Sequence, residues 1–384
     1  VQCDIRSTPF ITKMFTNLAL MDDNFPMKIP TSPQFAKVDY EGANVMEVES
    51  GLYKNVGILD VKAMYHSNAS LYNISWDTLD KDGQDCGNGT KFNLESKGLL
   101  VNQMDYMTKL RNKFKALVKS DPSNYDKWDT MQFACKSLVA SMYGVAGDAK
   151  YGLYNPEVAS AITYTSRQTL DKLKEEVESF GFKVIYGHTD SVFVLIPSPQ
   201  EGMDALREIN ISMSPIETEF EKWCSSMILM AKNRYAGNVA WTEGKYHDHK
   251  LYVKGIEMKQ SRMPQVMKQC MEDVIGGILS ADGEKIITDK LSNVILKVIN
   301  KEADPNDLCM KGKLDRNLSD YKVLSGPSAG AAWANEYLGK GYKSGSYFKV
   351  TIDNNGKYIA FDDPSDIEGL YDIGYTNLVE RFII

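Results

Sequence analysis

A short polar turn between two β-branched runs constrains the fold of this chain more than any other sequence feature. Residues 183–197, KVIYGHTDSVFVLIP, place apolar runs on both sides of Gly187, His188, Thr189 and Asp190. This pattern predicts an antiparallel β-hairpin with polar residues at its tip. Apolar residues at helical spacing over 101–119, 125–142 and 156–180 predict helices around it. The predicted class is therefore α+β, with helices inserted between the strands of one sheet.

Other stretches of the chain predict further elements and breaks. An apolar run at 56–61, VGILDV, predicts a buried strand that carries Asp60 near its end. Helical spacing at 9–20 predicts a short helix. The sequence Asp121-Pro122-Ser123-Asn124 predicts a tight connection that turns two helices into an antiparallel hairpin. We further expect a Pro-rich connector at Pro26, Pro30 and Pro33, a polar loop at 80–90, and Gly-rich breaks at 276–277 and 339–345.

Length and composition indicate a globular protein of more than one domain. The chain has 384 residues, of which 43% are hydrophobic and 25% charged, and we expect two or three domains. No apolar run is long enough to cross a bilayer, and Val1–Phe10 shows no signal-peptide pattern. The first residue is not Met, and we expect a fragment or a processed product. Membrane partners are not expected.

Cysteine spacing and net charge exclude few classes of protein. The cysteines lie far apart without any C-x-x-C pair, which favours reduced thiols over a zinc site or a disulfide framework. They are Cys3, Cys86, Cys135, Cys224, Cys270 and Cys309. The net charge of −7 and the pI of about 5.4 do not indicate a nucleic-acid-binding protein, although an acidic protein can still carry a local basic groove.

Three segments carry candidate chemistry. They are ILDVKAMYHSNAS, beginning at Ile58, KSLVASMYG, beginning at Lys136, and YGHTDS, beginning at Tyr186. Taken singly, each has a plainer interpretation. An Asp at a strand end is more often a cap or turn former, T-D-S at a hairpin tip is more often turn chemistry, and a helical Lys usually faces solvent.

Together, in this order and at these separations, the segments resemble motifs A, B and C of the family B DNA polymerases. Motif A there is D-x-x-S-L-Y-P-S, motif B is K-x-x-x-N-S-x-Y-G, and motif C is Y-G-D-T-D-S. The matching residues are Asp60 and Tyr65 for A, Lys136, Ser141, Tyr143 and Gly144 for B, and Tyr186, Gly187, Thr189, Asp190 and Ser191 for C.

Four further elements of that family fall in the expected order. Tyr40-Glu41-Gly42-Ala43 resembles the element before the palm, and Ile162, Thr163 and Arg167 resemble the helix between motifs B and C. Lys232-Asn233-Arg234-Tyr235 resembles the primer-binding K-K-R-Y, and Lys254-Gly255-Ile256-Glu257 resembles the K-G-x-E that follows it. The resemblance is strong over 37–262, and its closest match is the T-even phage type.

The resemblance implies a right-hand polymerase architecture with an antiparallel β palm, helical-hairpin fingers and a mixed, mostly helical thumb. The implied boundaries are a remnant or linker at 1–40, palm at 41–95 and 145–262, fingers at 96–144, and thumb at 263–384. No proofreading domain is expected within the chain. The expected partners are primer–template DNA, dNTP, a separate exonuclease or N-terminal chain and a sliding clamp, in the cytoplasm or a host cytoplasm.

The resemblance also implies the site. Asp60 and Asp190 are the expected catalytic carboxylates and, with the backbone carbonyl of Val61, the ligands of two Mg²⁺ ions, with Mn²⁺ as the alternative. In such sites two metals clamp the attacking and leaving oxygens of the reaction. Carboxylates suit this task because Mg²⁺ prefers oxygen ligands and also uses substrate phosphates.

Basic and aromatic side chains complete the expected nucleotide site. Arg111 and Lys115 are spaced i, i+4 on one helix face, and Lys136 lies on the returning helix. Cations there suit a triphosphate, although a solvated basic helix is the alternative interpretation. Tyr65 is the expected barrier to a ribose 2′-hydroxyl, unless it is a packed core residue. The nucleotide-binding set is Tyr65, Arg111, Lys115, Lys136, Ser141 and Tyr143, and the DNA-binding set is Tyr40, Gly42, Arg167, Lys232, Arg234, Tyr235 and Lys254.

The chain departs from the family pattern next to the expected site. His188 replaces the first motif C Asp, Ala140 the motif B Asn, Asn233 the second Lys of K-K-R-Y, and His66 the motif A Pro. We expect activity to survive, with a greater tolerance of Mn²⁺ because imidazole is a poor partner for Mg²⁺. Two alternatives remain open: a nucleic-acid-binding module without catalysis, and a subunit of a split polymerase that needs a partner.

Overall fold

The computed structural model describes residues 7–21, 35–259, 263–368 and 373–382. Its helices are α1 Ser7–Leu20, α2 Met64–Tyr72, α3 Leu99–Ser120, α4 Tyr125–Gly147, α5 Pro156–Ser179, α6 Pro199–Met213, α7 Gln265–Leu279, α8 Glu284–Ile299, α9 Pro327–Tyr337 and α10 Tyr375–Phe382. Its strands are β1 Gly51–Val61, β2 Leu79–Asp85, β3 Lys91–Phe92, β4 Lys183–His188, β5 Ser191–Leu195, β6 Thr218–Ala231, β7 Arg234–Thr242, β8 Lys245–Lys254, β9 Met310–Lys313, β10 Tyr347–Ile352 and β11 Tyr358–Phe361.

The described residues form two compact units. The first contains those within 1–48, 56–223 and 242–244, and the second those within 49–55, 224–241 and 245–384. In the first unit the strands follow the order β4-β5-β1-β6, and in the second the remaining parts of β1 and β6 are followed by β7 and β8. The division between the units therefore runs through β1 and β6. The palm, fingers and thumb boundaries stay predictions.

The first unit is built on the predicted β-hairpin. β5 pairs antiparallel with β4, and its other edge pairs antiparallel with β1, with Asp60 opposite Ser191. Both central strands are buried, as the apolar runs predict. Helices cover this sheet and pack around a core that includes Trp76, Phe92 and Ile162. The predicted hairpin, the strand at 56–61 and the helices at 101–119, 125–142 and 156–180 are confirmed.

The second unit contains a separate three-stranded sheet in the order β11-β10-β9, with antiparallel pairing throughout. Val350 and Ala360 face one core with Phe348, while Ile359 and Phe361 face another that includes Met267 and Leu378. This small sheet thus contributes apolar residues to two cores.

Three sequence expectations are wrong. The strands form sheets of six, three and two strands instead of one. The segment 80–90 is not a plain loop, because β2 pairs with β3 through an irregular register and only the turn around Gly87 and Gly89 is loop. Gly276 and Gly277 do not break a helix; a side chain on Gly277 would press on Ile287, so the glycine permits close approach of α7 and α8.

Some of the remaining expectations are confirmed, and others fall on residues outside the described ranges. The cysteines at 86, 135, 224, 270 and 309 are free thiols, whereas Cys3 and the Pro-rich connector lie outside the described residues. The break at 339–345 is confirmed, with Gly339, Gly341 and Gly345 at positive φ. Within the described part of the chain, no helix combines the length and apolar character that crossing a membrane requires.

Candidate active site

Asp60 and Asp190 lie next to each other at one end of the first unit's sheet. Asp60 is the penultimate residue of β1, and Asp190 lies in the two-residue turn between β4 and β5. The backbone N–H of Val61 donates a 2.7 Å hydrogen bond to the carbonyl of Asp190. Thr189 adopts the left-handed conformation, with φ of 54°, that this tight turn requires. The sheet therefore brings together the two carboxylates that the sequence patterns singled out.

Asp60 is a largely buried carboxyl group with several other carboxylates nearby. Burial, and then the negative charges of Asp190, Glu221 and Glu219, raise the pKa of Asp60 to about 8, while Lys136 acts in the opposite direction. Both desolvation and like charge disfavour an ionised carboxylate. A bound cation would reverse this balance, so the surroundings of Asp60 suit a positively charged ligand.

Glu219 and Glu221 are neighbours of the site that the sequence patterns did not single out. They alternate along β6 with the buried residues Phe220 and Lys222, so the two glutamates share one face of the strand. The period-two alternation of T-E-F-E-K at 218–222 is a signal that marks this strand. It does not reveal that the strand lies beside β1, which only the fold shows.

The donor set is compatible with a hard cation that is shared with a substrate. Across the described ranges, no group of three or more His, Cys, Asp or Glu side chains is arranged to hold a metal alone. Mg²⁺ in phosphoryl-transfer sites is commonly held by one or two carboxylates together with substrate phosphates and water. The pair Asp60 and Asp190 meets that requirement, and the carbonyl of Val61 stays a predicted third ligand.

A group of three tyrosines lies beside the carboxylates. The ring of Tyr65 on α2 lies 5.0 Å from that of Tyr143 on α4, and the hydroxyl of Tyr143 lies 3.0 Å from that of Tyr40. Burial and then the charge of Asp190 raise the pKa of Tyr65. Burial and the hydrogen bond with Tyr40 raise that of Tyr143. The residues predicted to select the sugar and to support the base are thus in contact near Asp190.

The segment around Tyr40 and Gly42 is hydrogen-bonded to both α5 and the β4–β5 hairpin. The guanidinium of Arg167 donates 2.7 Å hydrogen bonds to the carbonyls of Glu41 and Gly42 and pairs with the Glu41 carboxylate at 3.1 Å. Four residues after Gly42, the N–H of Met46 donates to the carbonyl of Gly187 at 2.9 Å. Arg167 therefore holds a chain segment in place, and its predicted DNA contact stays a prediction.

The helical hairpin of α3 and α4 carries the predicted phosphate-binding cations. Lys136 is exposed and acts electrostatically on Asp60. Arg111 is half-buried, and its Nε is buried without a hydrogen-bond partner in the described part of the chain. Lys115 is exposed one turn further along α3. A buried donor without a protein partner is costly, so the Arg111 guanidinium is suited to an anionic ligand.

The remaining motif residues differ in their surroundings. The hydroxyl of Ser141 donates to the carbonyl of Ser137 within α4, and Ala140 is exposed. His188 ends β4 opposite Ser191, half-buried, with its ring stacked 6.4 Å from that of Tyr186. The most prominent departure from the family pattern therefore lies two residues before Asp190, at the site itself.

The second unit joins the two predicted primer-binding elements. Lys232 and Asn233 form the turn between β6 and β7, and a side chain on Gly255 would collide with the Asn233 carbonyl. The guanidinium of Arg234 makes two hydrogen bonds of 2.8 and 2.7 Å to the Glu257 carboxylate.

The predicted DNA-binding residues of the second unit differ in their exposure to solvent. Lys232, Arg234 and Lys254 are exposed at the surface of this unit. Tyr235 is only 2% exposed, with its ring 6.0 Å from that of Tyr252. The Tyr235 side chain packs in the interior, and a DNA contact by it stays a prediction.

Comparison with known proteins identifies relatives of this architecture. A DNA polymerase of Archaeoglobus fulgidus is 30% identical over 316 residues, which cover 80% of this chain and 39% of that protein. The DNA polymerase delta catalytic subunit of Plasmodium falciparum is 30% identical over 332 residues, covering 77% of this chain and 30% of that protein. The chain thus spans less than half the length of these curated relatives.

Solved structures and family models agree with this relationship. The structure of the family B DNA polymerase from Pyrobaculum calidifontis superimposes with a TM-score of 0.61 and 24% identity, covering 92% of this chain and 47% of that one, which shows a shared fold. The similarity to the T-even phage type stays a prediction. The model of DNA polymerase family B matches residues 10–333. The chain therefore belongs to the family B DNA polymerases.

Proposed function

We propose that this chain is the polymerase part of a DNA-directed DNA polymerase that adds deoxynucleotides from dNTP to a primer 3′-hydroxyl and releases pyrophosphate. The observation that carries the proposal is the placement of Asp60 beside Asp190, where burial and like charge raise the pKa of Asp60 to about 8. Family membership over residues 10–333 supports the same activity.

Asp60 and Asp190 are the residues that hold two Mg²⁺ ions, with Mn²⁺ as the alternative, aided by the Val61 carbonyl. When bound, the ions neutralise charge on the attacking and leaving oxygens. Asp60 must release its proton to act as a ligand, and the nearby charge of Lys136 favours the ionised form. Asp190 contributes a second carboxylate from a tight turn, whose short connection limits its movement.

The α3–α4 hairpin binds the triphosphate and forms the fingers at 96–144. Arg111 grips phosphate through its planar guanidinium, while Lys115 and Lys136 act as point charges. Tyr65 excludes a ribose 2′-hydroxyl, and Tyr143 supports the new base pair. Ser141, whose hydroxyl bonds to the Ser137 carbonyl within α4, lies on the same helix as Tyr143. Closing of the hairpin over a nucleotide completes the site.

Primer–template DNA is the partner of the remaining surface. Tyr40, Gly42 and Arg167 contact the DNA, and Lys232, Arg234 and Lys254 bind backbone phosphates. Tyr235 supports β7, which carries Arg234, from the interior. Such contacts position a duplex without reading its sequence, which suits an enzyme that copies any template. The palm is 41–95 and 145–262, the thumb is 263–384, and the location is the cytoplasm, which for a viral protein is that of the host.

Primer extension tests the proposal. We expect the chain to extend a labelled primer on a DNA template with dNTP and Mg²⁺ or Mn²⁺. Asp60→Ala and Asp190→Ala should each reduce extension to background, since each removes a carboxylate of the pair. Asp82→Ala, which removes an exposed carboxylate from β2, should leave extension unchanged. Extension that survives Asp60→Ala and Asp190→Ala at the wild-type rate would refute the assignment.

Two other functions make different predictions in that assay. His188 and Ala140 favour a nucleic-acid-binding module without catalysis, which would bind primer–template DNA but extend it with neither ion. The other function is a subunit of a split polymerase that needs a partner. That subunit would extend primers only after an exonuclease or N-terminal chain, or a sliding clamp, is added.

A further inference from the structure

The first turn of α2 is bound to both helices of the α3–α4 hairpin through two consecutive residues. Tyr65 places its ring 5.0 Å from that of Tyr143 on α4. The next residue, His66, hydrogen-bonds through Nε2 to a carboxylate oxygen of Asp105 on α3 at 2.7 Å. The residue proposed to select the sugar thus lies in a turn that α3 and α4 hold from two sides.

The contact between His66 and Asp105 is part of a small, partly buried network. The other carboxylate oxygen of Asp105 accepts a 2.5 Å hydrogen bond from Nζ of Lys97, and the hydroxyl of Thr108 lies 3.3 Å from Nδ1 of His66. The His66 side chain is 14% exposed and that of Asp105 24%. Since an ionised carboxylate only accepts hydrogen bonds, Nε2 of His66 carries the proton.

Asp105 is held in its ionised form by this network. Burial raises the pKa of Asp105, but the hydrogen bonds from Lys97 and His66 outweigh burial and place that pKa below its ordinary value. A charge-assisted hydrogen bond is shorter and stronger than one between neutral groups. The connection between α2 and α3 is therefore of the kind that fixes one element relative to another.

The start of α2 lacks a side-chain cap. Ala63 precedes the helix in the left-handed conformation, with φ of 48°, and provides no side-chain cap. The family pattern has Pro at the position of His66, and a proline side chain has no donor. The bond to Asp105 is therefore one that the family pattern does not provide, and it joins the first turn of α2 to α3.

We propose that His66 is a positioning residue that, through Asp105, fixes the ring of Tyr65 against the hairpin and thereby sets how strictly ribonucleotides are rejected. This inference rests on the proposed function. A steric barrier works only if its ring is held to within about 0.5 Å of its working position, and neighbouring hydrogen bonds supply that restraint. Loosening the first turn of α2 lets the ring of Tyr65 yield to a 2′-hydroxyl.

Nucleotide discrimination is the first test. In primer extension, His66→Ala and Asp105→Ala should each lower the ratio of kcat/KM for dNTP to that for rNTP on the order of tenfold, the factor expected for one lost hydrogen bond to a charged group. The double variant should be no worse than either single variant, because both remove the same interaction. His66→Gln, whose amide can still donate to Asp105, should restore most of the ratio.

The matched control is Asp121→Ala at the far end of the same hairpin. Asp121 also accepts hydrogen bonds from side chains, those of Ser123, Asn124 and Trp128, but it has no contact with α2 among the described residues. Its removal should leave discrimination unchanged. A general loss of stability would instead lower the amount of active enzyme in every variant without changing the ratio.

Hydrogen exchange is the second test and does not depend on catalysis. His66→Ala and Asp105→Ala should each speed amide exchange in 64–68 and 102–108, whereas Asp121→Ala should speed it only near 120–128. If the wild type extends no primer, the proposed function fails and the exchange result decides whether the network holds α2. Unchanged exchange and an unchanged ratio in folded His66→Ala would overturn the inference, as would a His66→Gln variant no better than His66→Ala.

Discussion

Burial and neighbouring charge act in the same direction at Asp60. The side chain is largely withdrawn from water, Asp190, Glu221 and Glu219 add negative charge, and its pKa rises from 3.8 to about 8. Because the folded protein then binds a proton more tightly than the unfolded chain, the protonated carboxyl contributes stability that is fully present below about pH 3.8. That contribution disappears as the pH rises through about 8.

The first prediction follows from the raised pKa of Asp60, which makes the folded protein less stable at high pH. In buffer with EDTA, Asp60→Asn should unfold about 2–4 °C above the wild type at pH 9, because asparagine cannot become a buried charge. The difference should shrink toward pH 5, where the wild-type carboxyl is protonated. Thermal unfolding followed by circular dichroism from pH 5 to 9 measures it, with the exposed Asp82→Asn as control. Equal unfolding temperatures for Asp60→Asn and wild type at both pH values would contradict the pKa shift.

His188 should set the choice of metal. It stands beside Asp190 where the family pattern has a carboxylate, and a neutral imidazole is a poor partner for Mg²⁺. We predict that the wild type extends primers better with Mn²⁺ than with Mg²⁺ and that His188→Asp shifts this ratio toward Mg²⁺ severalfold. Extension rates across a titration of each ion measure the shift.

The control for metal choice is His188→Asn, which removes the imidazole without adding charge and should not favour Mg²⁺. One outcome of the same experiment would contradict the prediction. If His188→Asp lowers polymerisation as much as Asp190→Ala does, the two residues do not have the roles assigned to them.

The hairpin of α3 and α4 shows what a sequence can predict about an element. Helical spacing and the break at Asp121 gave two helices and their connection, because Asp121 accepts hydrogen bonds that close the turn. The contact of the hairpin with α2 was not predictable, because His66 and Asp105 are ordinary surface residues in sequence. Long-range pairing of this kind depends on how elements pack, and no local pattern encodes it.

Strand elements show the same division. The apolar runs around Gly187 predicted β4 and β5, since β-branched residues on both sides of a short turn favour an antiparallel hairpin. The polar, Gly-rich residues of β2 predicted a loop, yet β2 pairs with β3 because backbone pairing overrode weak propensity. Asp60 and Asp190 were identified from motifs, whereas Glu219 and Glu221 required the position of β6.

Arg111 provides the prediction for this element. Its buried Nε has no protein partner within the described ranges, and we expect a triphosphate to supply one. Arg111→Ala should raise KM for dNTP about tenfold or more with a smaller change in kcat, the size expected for a lost hydrogen bond to a charged group. Lys113→Ala, two residues along α3 and exposed, is the matched control and should change KM little. Single-nucleotide incorporation kinetics provide both constants, and equal effects of the two variants would favour a purely solvated basic helix.

At the scale of the whole molecule, net charge and local charge point in opposite directions. The chain carries a net charge of −7, which resists association with DNA at long range. Carboxylates gather around Asp60, where cations are expected to bind, while Lys232, Arg234 and Lys254 are exposed on adjoining turns of the second unit. The overall charge therefore says little about a local binding surface, and the DNA-binding residues predicted from the motifs could not be predicted from composition.

The last prediction concerns binding of the intact chain to a primer–template duplex. Each phosphate contact made by a lysine releases condensed counterions, so the affinity should fall as salt rises, with a slope of about −0.9 per contact on logarithmic axes. Lys232→Ala and Lys254→Ala should each weaken binding to all sequences equally and reduce that slope by about 1. Arg234→Ala should reduce it less than Lys254→Ala does, because the Arg234 guanidinium is already paired with Glu257. Fluorescence anisotropy between low and moderate salt measures the slope, and Lys245→Ala, at the start of β8, is the control. A slope that none of the three variants changes would place the duplex elsewhere on the protein.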